Sequence, residues 1–227
     1  MATIEKVLAS SPIFNKLPPA KLSKLANAAV RRRFQKGEVF SLYGDVWPYL
    51  FVIEKGEVSA YKQSMEGRNL IVTTFSPGDI FWGMAFFYDQ MPQPVSLMAE
   101  TETVIHQWPI DFLRPMFQEE AALSWELARL MIMRMLTASE ILEEIAFLPV
   151  AGRLAKLLME FKPAKPEETL SRSLTLDDMA ARIGSTREMV CRFLHRFADD
   201  GIIDITRTEF RIADPERLSD LSKYSKG

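Results

Sequence analysis

The 227-residue chain has one cysteine and two histidines. A lone thiol forms no internal disulfide, so a secreted disulfide scaffold is excluded. Residues 1–118 contain no cysteine at all, which removes the thiolates an iron–sulfur cluster requires. So few nucleophiles and bases, with no glycine loop of the phosphate-cradling kind, leave no catalytic constellation, and an enzyme is not expected. No apolar run reaches the roughly 20 residues of a membrane span, and the opening MATIEKVLAS has no signal-peptide core. A cytoplasmic protein without a membrane partner is the expectation. Excess positive charge is missing too: the net charge is −2, and residues 149–227 carry 14 basic against 13 acidic side chains. Affinity for nucleic acid would have to come from where the arginines stand. What the chain does have is apolar residues, 48% of the total, and enough length for two cores, which excludes disorder.

STREMVCRFLHRF (185–197) is the most basic helix-sized stretch near the C-terminus. At 100° per residue, Arg187, Cys191, His195, Glu188, Arg192 and Arg196 share one half of the helix, and Met189, Val190, Phe193, Leu194 and Phe197 fill most of the other. One basic amphipathic helix is weak evidence by itself, since most such arcs are solvated faces. The residues before it sharpen the reading. In LTLDDMAARIG, Thr175 is an N-cap with Asp178 three residues on, and Gly184 suits a left-handed stop. Ser185 or Thr186 then caps the basic helix, giving helix, glycine turn and second helix. In that layout the second helix enters the DNA major groove. DGIIDITRTEFRI (200–212) adds a hairpin turning at Arg207–Glu209, which completes a winged helix.

Residues 33–109 alternate short β-rich runs with glycine turns, a sandwich or barrel signature. From about Glu119 to Leu148 the pattern is one long helix free of glycine and proline. Ala128, Met131, Met135, Ala138, Leu142 and Ile145 alternate spacings of three and four along it, as the seam of a parallel homodimer does. The plainer alternative is a helix packed on its own domain. AFLPVAGRLAKLLMEF then marks a hinge, with Pro149 ending one helix and beginning the next at its first position.

GSTREMVCRFL resembles the recognition helix of the cyclic-AMP receptor and fumarate-nitrate regulator (CRP/FNR) family of bacterial transcription factors. Gly37, Gly44, Gly56 and Gly78 match the turn glycines of that family's cyclic-nucleotide-binding jelly roll, and SPIFNKLPPAKLSKLANAA matches its entry helices. The resemblance implies an α+β chain: a jelly-roll sensor over 1–118, a dimerisation helix over 119–148, and a winged helix-turn-helix over 149–227. It implies a homodimer on double-stranded DNA with a two-fold symmetric operator, and RNA polymerase as a further partner if the protein activates. Arg187, Glu188 and Arg192 become base readers, by arginine forks on guanine and glutamate accepting from cytosine. Thr175 and Thr186 become phosphate contacts, joined by Arg196 on the polar arc. Asp177 and Met189 depart from the family's polar phosphate-binding positions.

The pocket departs further. Gly83 stands where nucleotide-binding members carry a ribose-binding glutamate, and Gln93-Pro94 stand at the Arg-Ser pair that takes the cyclic phosphate. No arginine lies between Arg68 and Arg114. A buried phosphate would lack its charge partner there, so cyclic AMP is not expected. Trp82, Gly83, Met84, Phe87, Gln93 and, at the adenine position on the long helix, Ser139 are the candidate effector pocket. Three readings stay open: a small apolar or aromatic effector, a ligandless pocket, or haem with His106 as its ligand. The rival to a DNA-binding regulator is an adaptor that uses its winged helix for protein contacts. Cys191, on the polar arc, reads as a small packed residue before it reads as a redox switch.

Overall fold

The computed structural model describes residues 3–161, 170–171, 174–206 and 209–223. The chain divides into two compact units, residues 1–62 with 72–136, and residues 63–71 with 137–227.

Two short helices, α1 (Thr3–Ser10) and α2 (Pro19–Ala28), precede eight strands: β1 (Val30–Phe34), β2 (Val39–Ser41), β3 (Tyr49–Lys55), β4 (Val58–Gln63), β5 (Asn69–Phe75), β6 (Ile80–Trp82), β7 (Ser96–Ala99) and β8 (Thr103–Pro109). They form two four-stranded sheets, in the orders β1-β8-β3-β6 and β2-β7-β4-β5. Glycines turn the corners with positive φ, among them Gly37 at 81°, Gly56 at 88° and Gly78 at 94°. At Gly56 the reason is also steric, because a Cβ would stand 2.5 Å from the Glu102 carbonyl oxygen.

Strand alternation sorts the apolar residues into two layers. Phe34, Phe51, Ile53, Phe75, Phe81 and Leu97 fill the space between the sheets. Leu50, Val52, Trp82 and Trp108 point out of the first sheet and meet α1, α2 and the two helices that follow β8, α3 (Ile110–Glu119) and α4 (Ala121–Phe147). Trp108 donates its indole N–H to the Leu25 carbonyl at 2.8 Å, fastening α2 to β8.

In the second unit, α5 (Val150–Glu160) leads to a two-residue strand β9 (Leu170–Ser171), then α6 (Leu176–Ile183), α7 (Arg187–Asp199), strands β10 (Ile203–Ile205) and β11 (Glu209–Ile212), and α8 (Pro215–Leu221). Their common core is Leu154, Leu158, Met179, Val190, Phe197 and Phe210. β10 and β11 form the expected hairpin, extended by β9 into a three-stranded sheet in the order β10-β11-β9. Arg207, in the expected turn, lies outside the described residues. Pro149 is the N-cap of α5, one place before the expected first helical position. Gly152 is needed behind it, since a Cβ there would meet the Leu221 carbonyl at 2.7 Å. Arg153 closes the joint by donating from Nε to the Ile183 carbonyl (2.7 Å) and from Nη1 to that of Leu148 (2.8 Å), the free C-terminal acceptors of two helices.

Candidate DNA interface and effector site

The helix-turn-helix is built by local chemistry. Thr175 and Asp178 make a reciprocal capping box: the Thr175 hydroxyl accepts from the Asp178 amide at 3.1 Å, and the Asp178 carboxylate accepts from the Thr175 amide at 2.8 Å. Gly184 ends α6 at φ 61°, the left-handed conformation that the turn requires. Thr186 caps α7 by accepting from the Met189 amide at 3.3 Å. Val190, Leu194 and Phe197 anchor α7 in the core, which leaves Arg187, Glu188, Arg192, His195 and Arg196 exposed on its outer face.

Four of those side chains are already engaged, Arg196 through its Nε at 3.8 Å from Asp200 Oδ2. Arg187 Nη1 lies 2.7 Å from Asp177 Oδ2, an ion pair with both members more than half exposed. Arg192 donates to the Met189 sulfur and lies over the Phe193 ring. Hydrogen bonds from its own backbone amide and the Thr186 hydroxyl hold the Glu188 carboxyl below the usual range, so it is an acceptor at neutral pH. The Thr175 hydroxyl both accepts from the Asp178 amide and donates to the Asp178 carboxylate at 2.7 Å, which leaves no proton for a phosphate. The Thr186 hydroxyl likewise accepts from the Met189 amide and donates to the Glu188 carboxylate.

The six pocket residues read from the sequence do not gather in one place. Trp82 packs in the layer between the first sheet and the helices, and Met84 packs against that same layer. Gln93 is 1% exposed, and both atoms of its amide, like the Trp47 indole N–H, are buried without a partner among the described residues. Phe87 is partly exposed and lines an outer cavity. Ser139 is exposed on α4. Gly83 is crowded: a Cβ would fall 1.7 Å from the Trp47 carbonyl oxygen. Position 83 is therefore held to glycine by the backbone of Trp47.

A cation missed by the sequence reading comes from α4. Arg134 turns in toward β6, where its guanidinium lies 4.4 Å from the centre of the Trp82 ring and 5.0 Å from that of Phe75 and donates to the Ile80 carbonyl. Burial lowers its pKa to about 10 against the pull of Asp79. Only its spacing from Leu127 and Leu130, seven and four residues back along the inward face of α4, could have flagged it. His106 offers no face to a porphyrin. It is 5% exposed, with Nε2 at 2.6 Å from Glu54 Oε2, and Arg31 Nε completes the cluster at 3.1 Å from the same oxygen. Among the described residues no group of three or more metal-ligating side chains occurs.

Along α4 all six predicted seam residues are exposed. A second exposed stripe overlaps them at Ala128, Met135 and Leu142 and runs through Trp125, Ala128, Ile132, Met135, Ser139, Leu142 and Ala146, again alternating three and four. Trp125, Met135 and Leu142 are 64–69% exposed, whereas Met131 and Ile145 are 43% and 39%. No helix is long and apolar enough to cross a membrane among the described residues.

Residues 31–120 match the model of the cyclic nucleotide-binding domain, and residues 152–221 that of the Crp-like helix-turn-helix domain. The chain is 26% identical to a CRP-like cAMP-activated global transcriptional regulator of Mycobacterium tuberculosis, covering 95% of this chain and 98% of that protein. It is 24% identical to the cAMP-activated regulator Vfr of Pseudomonas aeruginosa, over 81% and 89% of the two chains. A solved structure from Eubacterium rectale, assigned to the CRP/FNR family, superposes with a TM-score of 0.77 at 23% identity, covering 93% of this chain and 97% of its own. The c-di-GMP responsive regulator CLP of Xanthomonas campestris superposes at 0.76 with 19% identity, over 86% and 99%. A cyclic-nucleotide-binding jelly roll followed by a long helix and a Crp-like helix-turn-helix is the arrangement seen here, and the chain belongs to the CRP/FNR family of DNA-binding transcription regulators.

Proposed function

We propose that the chain works in the cytoplasm as a homodimer that holds two α7 helices on a two-fold symmetric DNA operator, and that its first unit answers to a small molecule other than a cyclic nucleotide. Regulation here involves no catalytic step, and contact with RNA polymerase follows where the protein activates. The observation that carries the DNA reading is the outer face of α7, where Arg187, Glu188, Arg192 and Arg196 project from a helix whose opposite face is buried. Arg187 and Arg192 supply guanidinium forks and Glu188 a carboxylate acceptor. Thr175 and Thr186 contribute through the helix ends that they cap, where phosphates bind. The apolar stripe of α4 supports the dimer, because half-sites one helical turn apart need both helices held in register.

Against a cyclic nucleotide stand the crowding at Gly83 and the absence of a cation at Gln93. Arg134 supplies a positive charge from α4, but its guanidinium already lies over Trp82 and donates to the Ile80 carbonyl. The relatives named for cyclic AMP therefore share the fold with this chain, and the ligand chemistry differs.

Binding-site selection followed by Arg187→Ala tests the DNA reading. A loss of about 1–3 kcal/mol on the selected site, with relaxed preference at one guanine per half-site, is expected. Retention of no DNA sequence, together with capture of a protein through α7, would support the adaptor instead.

A further inference from the structure

A concavity of the first unit lies outside the jelly roll. It is a cavity of about 700 Å³ between residues 86–89, α3 and the start of α4, walled by Phe86, Phe87, Phe117, Leu127 and Met131, with Arg114 at its edge. That volume and that lining, mostly aromatic and aliphatic with few polar groups, are those of small-molecule sites. The space between the sheets is occupied by aromatic rings in mutual contact, with Phe81 5.4 Å from Phe51 and 5.1 Å from Phe75, and the Trp47 backbone covers Gly83.

Arg114 gives the cavity its selectivity. Its only described ionic partner, Asp89, stands 3.6 Å away on a side chain 82% exposed, a pair that water screens and that costs little to exchange. A carboxylate at the cavity edge would take the guanidinium fork in two parallel hydrogen bonds. The neighbouring rings, Phe86 5.1 Å from Phe87 and 5.7 Å from Phe117 and both near perpendicular to it, present edges and faces suited to a planar aromatic body.

A second copy of the chain is the competing occupant. Of the α4 residues that line the cavity, Ser124, Leu127, Ala128 and Met131, two belong to the exposed seam read from the sequence, whereas Leu127 is buried in the first unit's own core, so the floor of the cavity is made by one chain. We propose that this cavity is the effector site, and that its ligand is a small aromatic carboxylic acid held by Arg114. The inference rests on the reading of the chain as an effector-controlled regulator. It also places the ligand against Leu127 and Met131, two residues from the helix that carries the dimer stripe.

Titration calorimetry of the full chain with 2-naphthoate and its neutral isostere 2-naphthamide tests this. The acid is expected to bind at least tenfold more tightly than the amide. Arg114→Gln should weaken the acid at least tenfold and change the amide less than about twofold. Gln118→Trp, which fills the cavity from an exposed position, should abolish both while leaving the sedimentation of the dimer unchanged. Absence of binding by either probe, or an acid indifferent to Arg114→Gln, overturns the proposal. Binding lost in Gln93→Leu yet intact in Gln118→Trp would move the ligand between the sheets, and loss of the dimer in Gln118→Trp would give the cavity to the second copy. Operator retention by the unliganded protein, measured in parallel, separates these failures from failure of the regulator reading.

Discussion

The two ends of the molecule are specified over different distances along the chain. The helix-turn-helix is written in residues three or four apart: Thr175 with Asp178, Gly184 at the turn, and Thr186 with Met189. The first unit is fixed by pairs far apart in sequence, Trp47 against Gly83 and Arg134 against Trp82. The DNA-binding unit thus rests on short-range rules that tolerate drift elsewhere. The interior of the first unit rests on long-range contacts, which can be rewired while the fold stays the same.

The sharpest way to break this comparison is Gly83→Ala. The added methyl would fall 1.7 Å from a backbone oxygen, which cannot swing aside as a flexible side chain can. Overpacking of this kind costs roughly 3 kcal/mol or more, so the melting transition should drop steeply or the protein should fail to fold. Gly184→Asn is the control from the other unit. Its φ of 61° is one that asparagine tolerates, and the expected cost is about 1 kcal/mol. Equal losses from the two would remove the claimed difference between the units.

Arg134→Ala comes next. It deletes two ring contacts and leaves the Ile80 carbonyl without its donor, for an expected loss of about 2 kcal/mol by chemical denaturation. A variant more stable than the parent would mean that the desolvation cost of the guanidinium exceeds what those contacts return.

These cases also show what the sequence could reveal. Glycine turns, capping residues and strand alternation foretold both sheets, α6, α7 and the wing, because each rests on backbone conformation or on neighbours within a turn. The aromatic run after Gly78 was harder. Period-two alternation sends Phe81 between the sheets and Trp82 toward the helices, and Phe87 goes to a third place once the chain leaves the strand. The exposed apolar surface of α4 was legible as a spacing that more than one register satisfies: 128-131-135-138 and 125-128-132-135 both alternate three and four, and the residues of both are exposed. Arg134 was invisible for a different reason, since a search for cations within 68–114 cannot find one supplied from a helix 51 residues beyond Gly83.

The smallest effect concerns Asp177, the one place where the DNA-binding unit departs from short-range consistency. Its carboxylate holds Arg187 at 2.7 Å, so the fork proposed to read guanine must leave a partner before it can meet a base. An ion pair this exposed is worth little, about 0–1 kcal/mol, and folding stability should not change measurably in Asp177→Asn. DNA affinity should still rise by about three- to tenfold, from two separable sources. Release of Arg187 would strengthen only sites that carry its guanine, whereas removal of a negative charge beside the phosphates would strengthen every sequence and respond to salt. Combining Asp177→Asn with Arg187→Ala distinguishes them. A gain that disappears in the double variant belongs to Arg187, and one that persists equally on operator and unrelated DNA belongs to the backbone. No gain in either background would show that Asp177 turns away from the duplex when DNA binds.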